Sequence, residues 1–468
     1  MVSFHFDFIS VTIIIIFYLA GFILALNAVF QSRTPQGTMA WILALLCIPF
    51  LAVPIFLLFG KKKIEDYDHY ENGLTDIRRK IESALSEFKM LKDTASLRYI
   101  LSNSNLSFRK GNSLSLLFDG QETFEEMLSS IKKAKKYIFL QMYIFRTDKI
   151  GTVFADELRA KASQGVKIYI LYERLGIHMS KKVLRDMKSS GIFLGVFSPI
   201  RLNKLQLNFR NHRKLLIIDG ETGFFGGINI GDDYLGRYPE IGYWRDTNIR
   251  IRGPTVGLSQ IDFIKDWKYS QNEEITCDIL GPFSCGDSDV LLLNSGPAEE
   301  RPLNLLQHIG LINSARGRLW IANPYIIPPQ GIMDALFIAA IRGVDIRLLV
   351  PEKSDNRFVA LAMEIYLERL LKAGIRVFKY SRGMMHQKVI LVDDNLAVIG
   401  SSNLDFRSMH INFENSIVID DMTIIKELDL ALRQDFDFSV ELDISEFKLM
   451  SFGRRLATHL ANSVAPIL

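Results

Sequence analysis

Two histidines, two lysines and two asparagines recur in this chain at matching offsets. Asn211-His-Arg-Lys-Leu-Leu-Ile-Ile-Asp219 sets His212, Lys214 and Asp219 at offsets 0, 2 and 7, and Gly226-Gly227 and Asn229 follow. His386-Gln-Lys-Val-Ile-Leu-Val-Asp393 repeats the spacing with His386, Lys388 and Asp393, and Gly400-Ser401 and Asn403 complete the second copy. In an extended strand, residues two apart point the same way, so each His shares a face with its Lys. Each Asn follows a glycine-rich turn, where backbone can approach a ligand closely. If the copies face one pocket, it collects two imidazoles, two ammonium groups and two carboxamides. That set suits a phosphodiester. The lysines and asparagines donate to non-bridging oxygens and to the charge growing on a five-coordinate phosphorus. One imidazole attacks phosphorus while the other protonates the leaving oxygen. With an unperturbed pKa of about 6.5, one neutral and one protonated imidazole can coexist near neutral pH. The lysines supply the positive charge, so neither a metal nor a cofactor is required.

The elements that must position these groups are duplicated too. Ile131-Lys-Lys-Ala-Lys-Lys-Tyr-Ile-Phe-Leu140 matches Ile312-Asn-Ser-Ala-Arg-Gly-Arg-Leu-Trp-Ile321, each a helix end running into a strand. Gly165-Val-Lys-Ile-Tyr-Ile-Leu171 matches Gly343-Val-Asp-Ile-Arg-Leu-Leu349, a β-rich run behind a glycine helix stop. Met187 to Leu194 resembles Leu371 to Phe378. Strands alternating with helical patterns predict parallel βαβ units. The expected fold is α/β: two duplicated α/β/α sandwich domains, 106–285 and 286–445, packed face to face about a pseudo-two-fold axis. A linker over 64–105, helical from about Thr75 to Ser102, precedes them, and a helical tail over 446–468 follows.

Composition bounds the rest. The chain has 468 residues, enough for two or three domains, and 56 Lys+Arg against 52 Asp+Glu give a formal +4. That balance is far from a polycationic nucleic-acid binder. Three cysteines without a His cluster point to no disulfide framework and no thiolate metal site. No charged residue occurs from Phe8 to Ser32 or from Thr34 to Gly60. Each run exceeds the roughly 20 residues that cross a bilayer, so two transmembrane helices are expected over about 8–31 and 38–60. A signal peptide is disfavoured, since Met1 to Asp7 holds no Lys or Arg. The loop between the runs carries Arg33 alone, whereas Lys61-Lys62-Lys63 follows the second, which sets the large C-terminal part on the cytoplasmic side. The lysine run would also attract anionic lipids, or serve as a topology signal only.

With these residues in view, the chain resembles the phospholipase D superfamily, defined by paired His-x-Lys-x4-Asp motifs. Within it, the chain is similar to bacterial cardiolipin synthases over essentially its full length. The resemblance rests on Ser32-Arg-Thr-Pro-Gln-Gly-Thr-Met-Ala-Trp-Ile42, Phe209 to Asp219, Trp244-Arg-Asp-Thr247, Gly400 to Ser408 and Asn412-Phe-Glu414. It implies that His212 is the nucleophile and His386 the general acid and then base. It implies that Asp246 and Glu414 hydrogen-bond the histidines, often crosswise between halves. Asp219 and Asp393 take an orienting or structural role away from phosphorus. Ser401 stands where the first copy has Gly227, so a hydroxyl reaches phosphate from one side only, and Glu173 stands where relatives usually carry Asp. The implied reaction joins two phosphatidylglycerols into cardiolipin plus glycerol through a phosphatidyl-histidine, at the inner membrane of a bacterium. The implied partners are phosphatidylglycerol and other anionic lipids, not nucleic acid.

Three other classes share parts of this pattern. A phospholipase D-type hydrolase carries the same residues and uses water as acceptor. A nuclease of the superfamily wants a basic groove with interleaved aromatics and does not need two spans. A non-catalytic lipid scaffold does not need every catalytic position filled twice.

Overall fold

The computed structural model describes residues 8–32, 34–60, 63–64, 67, 75–90, 106–197, 208–276, 279 and 283–464. Arg33, Lys61, Lys62, Cys277 and residues 91–105 of the expected linker lie outside them.

The first apolar run is one helix, α1 (Phe8–Gln31), the one described helix long and apolar enough to cross a bilayer by itself. The second run differs from expectation. It forms α2 (Pro35–Cys47), capped by Thr34, and α3 (Pro49–Phe59), with a break at Ile48. Pro49 lacks an N–H and crowds the preceding residue, which pushes Ile48 out of helical geometry to φ −136°, ψ 57°. Both pieces pack back on α1. A Cβ on Gly21 would sit 2.4 Å from the Leu45 carbonyl oxygen, so glycine there permits the close approach. Phe17 meets Phe50 and Trp41 meets Phe56, with ring centroids 4.9 and 5.0 Å apart.

After α4 (Thr75–Leu85) the two halves follow in parallel series. The first comprises β1 (Phe108–Phe118), α5 (Asp119–Lys133), β2 (Tyr137–Met142), α6 (Lys149–Ser163), β3 (Lys167–Glu173), α7 (Lys181–Ser189), β4 (Phe193–Phe197), β5 (Leu215–Ile218), β6 (Thr222–Gly226), β7 (Tyr243–Arg245), β8 (Thr247–Arg252) and α8 (Pro254–Gln271). The second comprises β9 (Ser288–Ser295), α9 (Leu303–Ser314), β10 (Arg318–Ala322), α10 (Gln330–Ile341), β11 (Asp345–Pro351), α11 (Arg357–Lys372), β12 (Arg376–Tyr380), β13 (Gly383–Met385), β14 (Val389–Val392), β15 (Leu396–Gly400), α12 (Phe406–His410), β16 (Glu414–Asp420) and α13 (Met422–Asp437). Gly165 and Gly343 take φ +90° and +84° where α6 and α10 stop, a backbone conformation that favours glycine.

Sheet order makes the duplication visible. The first half runs β4-β3-β2-β5-β6-β8-β1 and the second β12-β11-β10-β14-β15-β16-β9, the same order element for element. Instead of meeting only face to face, the two sheets join edge to edge. β1 pairs antiparallel with β9, giving one continuous 16-stranded sheet with the pseudo-two-fold between them. Pairing the two free edges removes both as sites for unwanted strand addition.

Of the two flanking segments, the one before the first half departs from expectation and the tail after the second does not. Ile64 and Tyr67, assigned to a linker, are buried in a core cluster built from both halves, and the Tyr67 hydroxyl donates to Asp266 Oδ1 at 2.5 Å. The tail forms a helix, Phe452–Val464, whose Arg454 and Thr458 bind Glu364 on α11.

Candidate active site

Each His-x-Lys segment leads directly into a central strand. Leu-Leu-Ile-Ile of β5 and Val-Ile-Leu-Val of β14 are buried throughout, which anchors the histidines just outside the sheet. Each lysine folds back onto its own histidine's carbonyl, Lys214 Nζ at 2.7 Å and Lys388 Nζ at 2.6 Å, so each pair does share a face.

Asp219 and Asp393 lie at the far ends of these strands, about 16 Å beyond the lysines at about 3.3 Å per residue. Neither lines the cavity described below. Asp219 accepts the backbone N–H groups of Lys135, Lys136 and Tyr137 at 2.8, 2.8 and 2.9 Å. Asp393 accepts those of Arg316, Gly317 and Arg318 at 3.0, 2.8 and 2.8 Å. Both take positive φ, +52° and +48°, which Asp tolerates better than most L-residues. Although they belong to the catalytic motifs in sequence, in the structure they stand apart from the cavity, where they close the hairpin and fix the start of the neighbouring strand.

The halves hold each other's histidines. β7 pairs parallel with β13, and His386 N–H donates to the Arg245 carbonyl at 2.8 Å. By the equivalent contact, His212 N–H donates to the Phe413 carbonyl at 2.9 Å. Arg245 and Phe413 immediately precede Asp246 and Glu414, so each half delivers its carboxylate beneath the other half's imidazole. Glu414 lies 3.1 and 3.0 Å from His212 Nδ1, and Asp246 Oδ2 lies 3.0 Å from His386 Nδ1. With Nδ1–H given to a carboxylate, Nε2 of His212 is left for chemistry, and Nε2 of His386 meets Lys388 Nζ at 3.0 Å. Tyr143 packs edge-on against His212 and Trp244 tilts over His386, with centroids 5.0 and 4.9 Å apart.

Both histidines line one cavity of about 380 Å³, together with Asn229, Asn403, Arg210, Arg407 and Phe59 from the end of α3. Its charges are held at a cost. Burial lowers His212 despite Glu414, and burial with the adjacent Lys388 puts His386 well below the usual imidazole range. Burial also takes Lys214 well down and Lys388 to about 8. Asp246 is raised to about 6 by burial, whereas Glu414 ends below the ordinary range, since His212 and Lys214 outweigh its burial. Each cationic shift has the same leading cause, the loss of water around the charged form, which a bound phosphodiester would oppose.

Two orienting residues behave differently from expectation. Asn229 is spent on the protein, its Oδ1 accepting Ile144 N–H at 3.0 Å and its Nδ2 donating to the Tyr234 hydroxyl at 2.7 Å. Asn403 faces the same cavity with a buried Oδ1 that has no partner among the described residues. The Ser401 hydroxyl donates to Glu414 and accepts Asn415 N–H, so it supports the carboxylate behind His212 and does not point to phosphate. In the first half a Cβ on Gly227 would press on Asp246 at 2.9 Å, which explains the glycine.

Sequence reasoning passed over the anchors under the motifs. Asp266 on α8 takes Arg213, Asn211 and Gln141, and Asp435 on α13 takes Arg245 and Gln387. The residue between His and Lys in each motif carried that signal. Glu173, noted in the sequence only as standing where relatives carry Asp, accepts Asn211 N–H at 3.0 Å and so fixes the approach to His212; burial raises it to about 7.

Comparison with known proteins follows the same lines. The profile of the family described as "Cardiolipin synthase, PLD-like domain" matches residues 127–254 and 308–436, one match per half. The chain is 35% identical to "Cardiolipin synthase A" of Pseudomonas putida strain GB-1, over 96% of this chain and 97% of that one. It is also 35% identical to "Cardiolipin synthase" of Alkalihalophilus pseudofirmus, over 98% and 94%. Among solved structures, the phosphatidylserine synthase of Haemophilus influenzae shares the fold, with a TM-score of 0.62 at 16% identity, over 80% of this chain and all of that one.

Proposed function

This chain belongs to the cardiolipin synthases of the phospholipase D superfamily, phosphatidyltransferases that make cardiolipin by transphosphatidylation, and on that premise we propose that it works through a phosphatidyl-histidine formed in the cavity between its halves. The observation that carries this reading is the crosswise pairing: two imidazoles on one cavity, each oriented by the opposite half's carboxylate.

The donor is phosphatidylglycerol, with its phosphodiester between the histidines and its non-bridging oxygens on Lys214, Lys388 and Asn403. The anion's charge raises the lysines and His386 toward their protonated forms. His212 Nε2 attacks phosphorus, the P–O bond to glycerol breaks, and His386 gives its proton to the departing oxygen. A second phosphatidylglycerol then gives the proton of its terminal hydroxyl to His386. Its oxygen attacks phosphorus, the P–N bond breaks, and cardiolipin forms with His212 restored. One phosphodiester replaces another, so no nucleotide is consumed. Asp246 stabilises the His386 imidazolium, and Glu414 holds His212 with Nε2 unprotonated. Tyr143 and Trp244 cover the rings, which keeps water from the intermediate.

Membrane association fits lipid substrates. In this reading α1 is one span, α2 with α3 is the second despite the break at Ile48, and the sheet lies on the cytoplasmic side of a bacterial inner membrane. Lys61-Lys62-Lys63 supports that orientation, and Phe59 at the cavity supports direct entry of lipid from the hairpin.

The test is to incubate the purified full chain with headgroup-labelled phosphatidylglycerol and identify products. Cardiolipin and labelled glycerol in equal amounts are expected. Phosphatidic acid as the main product would mean that water is the acceptor and the chain is a hydrolase.

A further inference from the structure

The duplication supplies an internal control. Groups that serve phosphoryl transfer occur in both halves, so a charge present at the cavity from one half alone has a different task. Two such charges share one wall. Arg210 stands two residues before His212, where the second half has Met384 before His386. Arg407 stands four residues after Asn403, where the first half has Asp233 after Asn229, and Asp233 is itself bound to Arg146 at 3.0 Å. Asn208 holds the Arg407 guanidinium in place, with Nη1 to its Oδ1 at 3.1 Å and Nη2 to its carbonyl at 2.8 Å. Burial, opposed by Asp405, and then the nearby Arg210 push Arg407 below the ordinary guanidinium range. Asp405 is committed elsewhere, accepting Ser408 N–H at the start of α12. The same wall offers an acceptor: Asn412 donates Nδ2 to Glu414 Oε1 at 3.2 Å, and its Oδ1 has no donor among the described residues.

The reaction brings two anions into one cavity. The paired His-Lys sets serve the phosphorus that reacts; the acceptor carries a second phosphodiester, three carbons from its attacking hydroxyl. We infer that Arg210 and Arg407, with Asn412 receiving the acceptor's free secondary hydroxyl, form a second anion subsite for the phosphodiester of the acceptor phosphatidylglycerol. This inference rests on the cardiolipin-forming reading above. It also makes cardiolipin, which carries both phosphates, a ligand of both subsites at once.

Two acceptors separate the subsites. Free glycerol has the attacking hydroxyl without a phosphate, so exchange of labelled glycerol into phosphatidylglycerol reads the donor site and the histidines. Cardiolipin formation reads the second subsite as well. In Arg210→Met and Arg407→Gln, the ratio of cardiolipin formation to glycerol exchange should fall roughly ten-fold each, the worth of one charge-assisted hydrogen bond. Arg210→Lys and Arg407→Lys, which keep the charge and are the milder changes for folding, should give intermediate ratios. Soluble glycerophosphoglycerol, a phosphodiester without acyl chains, should outcompete glycerol on the parent protein and lose that advantage in the variants. A ratio that stays at the parent value in the lysine variants and in whichever of the others exchanges glycerol overturns the subsite. Failure of the proposed function looks different: the parent protein itself would exchange no glycerol and form no cardiolipin.

Discussion

Replacing Glu414 by Gln tests the crosswise arrangement where it is most exposed to refutation. Three donors converge on that buried carboxylate: His212 Nδ1 at 3.0 Å, Asn412 Nδ2 at 3.2 Å and the Ser401 hydroxyl. An amide offers one oxygen and one NH2, so at least one donor meets another donor. If the lost contact is the charged bond to His212, the cost is about 1.5–3 kcal/mol, or roughly 10- to 150-fold. If the amide nitrogen turns toward the ring, His212 must carry its proton on Nε2, and the attacking lone pair is gone. In hydrolases where a buried Asp orients the catalytic His, the corresponding change costs about 10⁴-fold. The expected loss in kcat therefore lies between about 10-fold and about 10⁴-fold. Cardiolipin formation measures it, and protein incubated with acyl-labelled phosphatidylglycerol and quenched in neutral detergent, where a P–N bond survives, shows whether the lipid adduct still forms. The urea midpoint confirms that the fold survives. A variant that turns over within about three-fold of the parent and still acquires label refutes the view that the second half orients the first half's histidine.

The remaining expectations concern pH, the strand-end aspartates and the asparagines. Burial raises Asp246 to about 6 and it accepts from His386 most strongly when ionised, so kcat/KM should fall as pH drops through about 6. Lys388 titrates at about 8 and donates to phosphate most strongly when charged, so kcat/KM should fall again as pH rises through about 8. Lys388→Arg should move that alkaline limb upward, and an unmoved limb would exclude Lys388 as its source. Asp219→Ala removes an acceptor of three N–H groups and should lower stability by about 2–4 kcal/mol by urea titration, while the folded fraction keeps its kcat. A selective loss of kcat would place Asp219 among the catalytic groups instead. Asn403→Ala should cost about ten-fold in kcat/KM by removing a donor to phosphate. Asn229→Ala should act chiefly on stability, because its amide serves Ile144 and Tyr234.

Motif spacing read well where local geometry decides the outcome. His212 with Lys214, the glycine stops at 165 and 343, and the order of βαβ units all follow from period and turn chemistry within a few residues. What the sequence withheld depends on partners distant along the chain. Nothing near Ser401 announces that its hydroxyl serves Glu414, since the two are brought together by β15 and β16 pairing. Asn229 and Asn403 look alike in sequence, yet a tyrosine five residues after Asn229 engages the first and leaves the second open. Tyr67 lies in a segment that reads as a charged linker, and its burial depends on Asp266, 199 residues away.

The exchange of carboxylates between halves has a further physical consequence. Each imidazole is anchored at its backbone and at Nδ1 by the half that does not contain it, so neither half alone holds an oriented catalytic histidine. Separation of the halves would leave Glu414 and Asp246 without their imidazole partners, and Glu414 in particular sits below its ordinary range because His212 offsets its burial. Chemistry and inter-domain packing are thus coupled through the same four side chains. The edge-to-edge sheet explains why this coupling is affordable: β1 and β9 fix the relative placement of the halves through backbone hydrogen bonds that owe nothing to the site. The histidines can then sit in an electrostatically costly cavity, poised for an anion, without having to hold the molecule together.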